Sequence, residues 1–62
     1  MTKEQAINLA LKVSKRESID MYIVVEGYQD EREWEAAREE DIDTFYNGAI
    51  AYLAASNGKL VF

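Results

Sequence analysis

The 62-residue chain has no cysteine, no histidine and no proline, and only three glycines. Without cysteine no disulfide can supplement a thin core, and without cysteine or histidine there is no zinc site of the usual thiolate and imidazole kind. The same two absences remove the histidine general base, the cysteine nucleophile and the Ser-His-Asp triad. Ser14, Ser18 and Ser56 have no nucleophile-elbow motif around them, and Gly27, Gly48 and Gly58 are too dispersed for a phosphate-cradling loop. No catalytic residue is assigned, and neither a cofactor nor a metal is expected. Apolar runs such as "MYIVV" at 21–25 fall far short of the roughly 18 residues that span a bilayer, and no basic segment leads into a hydrophobic N-terminal stretch. The expectation is a soluble cytoplasmic protein without membrane contact, of the small acidic kind found in bacteria or their phages.

What is present argues for folding. Apolar residues make up 48% of the chain and seven side chains are aromatic, too many for a disordered segment. Residues 1–62 make one small domain, and folding at this size hides only ~60% of the unfolded chain's surface. Twelve acids against seven bases give a net charge of −5, which repels a nucleic-acid backbone. Their distribution is uneven. Residues 1–18 carry Lys3, Lys12, Lys15 and Arg16 against Glu4 and Glu17, whereas residues 26–43 carry nine acids against Arg32 and Arg38.

"MTKEQAINLALKVSKRES" reads as an amphipathic helix from about Thr2 to Glu17. Thr2 with Gln5 matches a capping box, and Ala6, Ile7, Leu9, Ala10, Leu11 and Val13 fall on one broad apolar arc. Lys12, Lys15 and Arg16 stand near the C-terminal end, where the helix dipole favours positive charge. In "SIDMYIVVEG" the period changes to two. Ile19, Met21, Ile23 and Val25 form an apolar face suited to the helix, with Asp20, Tyr22, Val24 and Glu26 on the other.

The next segment, "YQDEREWEAAREE", has helical propensities, yet a helix would stack Glu31, Glu35 and Glu39 as like-charge pairs four residues apart. The alternation around Trp34 favours a hairpin with "QDER" near its turn and Trp34 in the common core. "EEDIDTFYNG" at 39–48 fits a short helix. Its acids fill the cap and first turn, Ile42, Phe45 and Tyr46 share a face, and Gly48 supplies a C-terminal cap. A type I′ turn at Asn47-Gly48 is the competing reading. At the end of the chain, Asn57-Gly58 between apolar runs signals a hairpin, with Leu53 opposite Phe62 and Ala55 opposite Leu60 on one face, and Tyr52, Ala54 and Val61 on the other. A helix from Asp41 through Ser56 is the alternative there. The order α-β-β-α-β-β predicts an α+β fold, a small antiparallel sheet with the N-terminal helix across one face and a short second helix.

Two surfaces are candidates for function. Tyr22, Val24, Tyr52 and Val61, expected on the sheet face away from the helix, make an apolar contact surface. Glu33, Glu35, Asp41 and Asp43 make an acidic one, suited to a basic partner surface through charge steering. Glu39, Glu40, Asp41 and Asp43 are oxygen donors of the calcium or magnesium type, but the spacing of a calcium-binding loop does not follow Asp41. The favoured function is therefore a non-enzymatic acidic interaction protein, an adaptor or inhibitor. The alternatives are a self-associating homodimer and an acidic mimic of DNA.

Overall fold

Two reciprocal hydrogen bonds start the first helix. In α1 (Lys3–Glu17) the Gln5 N–H donates to Thr2 Oγ1 at 3.2 Å and the Thr2 N–H donates to Gln5 Oε1 at 2.9 Å, the capping box that the sequence predicts. Ser18 ends the helix in the left-handed conformation, with φ 56° and ψ 47°. The computed structural model describes residues 1–26, 33–44 and 49–62.

The helix buries a narrower stripe than its apolar arc implies. Ala6, Ala10 and Ser14 form the fully buried line, Ile7 and Val13 pack on its shoulders, and Leu9 is exposed. Short side chains along the centre line let the helix lie close to the sheet, so the bulkier residues are displaced sideways.

Strands β1 (Asp20–Glu26), β2 (Glu33–Arg38), β3 (Ile50–Ser56) and β4 (Lys59–Leu60) form one antiparallel sheet in the order β2-β1-β3-β4. The helix α2 (Glu39–Thr44) follows β2 without a break. This is the α+β order read from the sequence. β1 takes a central place because both of its faces find cover. Met21 and Ile23 meet Ala6, Ala10 and Ala54 beneath α1, with Ile19, Trp34 and Ala36 packed around them. On the reverse face Val24 and Ala37 are also buried, and α2 packs against β1 and β2.

Residues 33–38 form a strand, not the competing helix. Trp34 stands opposite Val25 and Ala36 opposite Ile23, so the apolar members of this strand face α1 while Glu33 and Glu35 take the other side. The acids Glu39, Glu40 and Asp41 occupy the first turn of α2, as the helix dipole favours. The expected "QDER" turn and the parts assigned to Phe45, Tyr46, Asn47 and Gly48 lie outside the described residues.

The C-terminal hairpin forms where expected. Asn57 and Gly58 both have positive φ, 50° and 82°, as a type I′ turn requires, and Ser56 pairs with Lys59 and Ala55 with Leu60. The facial assignment of β3 is corrected, however. Met21 pairs with Ala55 but Tyr22 pairs with Leu53, so Ala54 is an extra residue, a β-bulge beside β1. Ile23 then stands opposite Tyr52, which places Tyr52 on the α1 face and not beside Tyr22 and Val24. Nor does Phe62 continue the ladder opposite Leu53. The N–H groups of Val61 and Phe62 both donate to the carbonyl of Ala54, at 2.9 and 3.1 Å, and the chain turns off the strand edge.

Candidate functional site

The junction of α1, β1 and the β3–β4 hairpin fixes one end of the molecule. Ser14 Oγ donates to the Ile19 carbonyl at 2.6 Å and accepts the Gly58 N–H at 2.8 Å, while the Asn57 N–H donates to the same Ile19 carbonyl at 3.3 Å. Ser56 Oγ donates to Asp20 Oδ1 at 2.5 Å. Close by, Arg38 donates both terminal nitrogens to Glu17, at 2.6 and 2.7 Å, a two-pronged pair joining β2 to the end of α1. The Arg38 guanidinium, with help from Arg16, holds the Glu17 carboxyl down at about 2. Ser18, Ile19, Asp20, Arg38, Glu39 and Glu40 line an open depression of about 410 Å³ here. With Arg38 neutralised by Glu17, three carboxylates set its charge.

The four acidic candidates divide between two neighbouring elements. Glu33 sits on β2, where its Oε2 accepts from the N-terminal ammonium of Met1 at 3.0 Å. Glu35 lies half-buried opposite Val24 on the reverse face. Asp41 and Asp43 are on α2, half-buried and exposed respectively. α2 continues directly from β2, so Glu39 and Glu40 stand between the two pairs along the chain. Among the described residues no group of three or more acids converges as a metal site would require.

The four apolar candidates do not share a surface. Val24 is buried and Tyr22 half-buried on the reverse face, where burial first, and then the charges of Glu39 and Asp20, push the Tyr22 hydroxyl above its ordinary value of 10. Tyr52 and Val61 stand elsewhere, among exposed apolar residues along the β3–β4 edge that the alternation argument did not bring together. Ile50 is 58% exposed, Tyr52 42%, Leu60 54%, Val61 54% and Phe62 45%, and all belong to β3, β4 or the two residues after β4. Tyr52 links the group to the core. Its ring centroid is 6.4 Å from that of Trp34 and 5.8 Å from that of Phe62, the latter edge-on. Lys3 Nζ covers the other side, 4.5 Å from the Phe62 centroid and 5.4 Å from that of Trp34. The available signal for this arrangement was the consecutive pair Ala54-Ala55, where a strict alternation has no reason to place two small residues together.

Compared with known proteins, the chain matches no family, no curated protein and no solved structure. Among the described residues no helix is long and apolar enough to cross a membrane.

Proposed function

We propose that the protein is a non-catalytic binding protein that lays its β3–β4 edge against another protein chain. The observation that carries this reading is the exposure of Ile50, Tyr52, Leu60, Val61 and Phe62 along the β3–β4 edge of the sheet, with the Tyr52 and Phe62 rings in contact. Large apolar side chains collected in one place mark a contact surface, whereas scattered ones do not. The aromatic pair and the lysine above it hold the patch in a defined shape, which lowers the entropy lost on binding. The acids of β2 and α2 contribute the charge of the approach. It speeds encounter with a basic surface and discourages nucleic acid.

The test is capture by an immobilised copy, offered a lysate supplemented with the untagged chain. The double variant Tyr52→Ser with Val61→Ser should lose its bound partner at low and high salt alike. Asp41→Asn with Asp43→Asn should weaken capture at low salt only, because screening already removes the steering at high salt. Capture that survives the first double variant contradicts the reading.

A further inference from the structure

Lys3 breaks the charge rule that the rest of α1 obeys. It is the first residue of the helix, where the macrodipole disfavours a cation, whereas Lys15 and Arg16 stand in the last turn, where it favours one. Nor does an anion hold it, for among the described residues no carboxylate pairs with Lys3. Glu33, next to Trp34 in the chain, takes the Met1 ammonium instead.

What holds the ammonium is aromatic. Lys3 Nζ stands 4.5 Å from the Phe62 centroid and 5.4 Å from that of Trp34, both within the reach of a cation–π attraction. Two rings thus share one ammonium, and Tyr52 stands beside both, 6.4 Å from Trp34 and 5.8 Å from Phe62. Trp34 comes from β2, Tyr52 from β3, and Phe62 from the chain end that the Ala54 carbonyl turns off the strand edge. With Lys3 in position Tyr52 and Phe62 are still 42% and 45% exposed, so the rings are open to a second approach.

We infer that this aromatic group is a lysine-binding site, in which Lys3 stands where a lysine side chain of the bound protein, plain or methylated, seats its ammonium. The inference rests on the proposed contact surface and names the group that the partner brings to it. What the rings already hold selects the occupant, an alkylammonium on a flexible stem. Charge agrees, since a chain of net charge −5 attracts cations and repels acidic partners. Lys3 is suited to give way, because the helix dipole disfavours it and no ion pair breaks when its stem swings into water. While it stays it competes with the incoming lysine, so the free chain binds more weakly than the bare rings would.

The single tryptophan, Trp34, reports occupancy through its fluorescence. The probes are Nα-acetyl-lysine amide, its trimethylated form, and the uncharged analogue with a tert-butyl group in place of trimethylammonium. Lys3→Met, which keeps an apolar stem and removes the charge, should bind both ammonium probes about fivefold more tightly than the wild type. The tert-butyl analogue should bind that variant at least about fivefold more weakly than the trimethylated probe, since it lacks the charge that the rings attract. Adding Phe62→Leu should remove most of that preference. Far-UV circular dichroism reports that the fold is kept, and Lys3→Met alone decides the matter if the second change unfolds the chain. Equal binding by the wild type and Lys3→Met, an uncharged analogue that binds as well as the trimethylated probe, or no saturable change in Lys3→Met overturns the inference. If Lys3→Met binds no ammonium probe while Tyr52→Ser with Val61→Ser still loses a captured protein, the lysine site is refuted and the contact surface stands.

Discussion

Ser14 and Gly58, 44 residues apart, are joined by a hydrogen bond of 2.8 Å from the glycine N–H to the serine hydroxyl. The hydroxyl in turn donates a hydrogen bond to the Ile19 carbonyl, so one buried oxygen ties the end of α1, the entry to β1 and the turn of the last hairpin. Ser14→Ala keeps the packing but leaves the Gly58 N–H without its acceptor. The expected loss is about 1–3 kcal/mol in urea unfolding, since a buried donor keeps its desolvation penalty when its partner is removed. A loss no larger than that of an exposed serine would contradict the tie.

Gly58 is constrained twice. Its φ of 82° belongs to the left-handed region, and a Cβ there would stand 3.1 Å from Lys15 Cγ. Gly58→Ala should destabilise the fold by roughly 1–2 kcal/mol from the backbone conformation alone. Asn57→Gly, at the neighbouring position of positive φ, should be nearly neutral in the same unfolding measurement.

The pair of Glu17 with Arg38 gives the protein a dependence on acid. The Glu17 carboxyl lies near 2 in the folded chain against 4.5 in the unfolded one. A lowered carboxyl stabilises the fold fully above 4.5, and that contribution fades as the pH falls from 4.5 toward 2. The melting temperature of Glu17→Gln should therefore lie below that of the wild type at neutral pH, and the two should converge across this acid range. A gap that stays constant would mean that the pair contributes through shape and not through charge.

Tyr22 acts at the other end of the pH scale. Burial, then Glu39 and Asp20, raise its hydroxyl above 10, so the folded chain favours the protonated form. This stabilisation is complete below 10 and is lost as the pH climbs through the raised value. Tyr22→Phe should melt with less loss than the wild type when the pH passes above 10, and ultraviolet titration should show the Tyr22 hydroxyl ionising above its ordinary value.

Much of the fold was legible because local signals agreed with the tertiary result. Thr2 with Gln5 marked the start of α1, the alternation through Met21 and Ile23 marked β1, Asn57-Gly58 marked the last turn, and Trp34 marked the inner side of β2. The candidate surface was legible only in part. Alternation assigns residues to two faces but does not say which residue of β3 meets which residue of β1, and the bulge at Ala54 settles that through packing. Tyr52 therefore crossed to the α1 side, and Val61 went with the chain end that leaves the strand at Ala54. Ser14 was hidden for a related reason. A serine in an amphipathic pattern reads as polar, and only its bonds to Ile19 and Gly58, distant in sequence or beyond the helix end, make it part of the buried line.

The contact surface can be read residue by residue from amide nuclear magnetic resonance spectra, recorded as the chain is concentrated or a captured protein is added. The account predicts shifts at Ile50 to Ala54 and at Leu60 to Phe62, with α2 and the edge of β2 little changed. Shifts gathered instead on Glu33 to Thr44, with β3 and β4 unmoved, would contradict it.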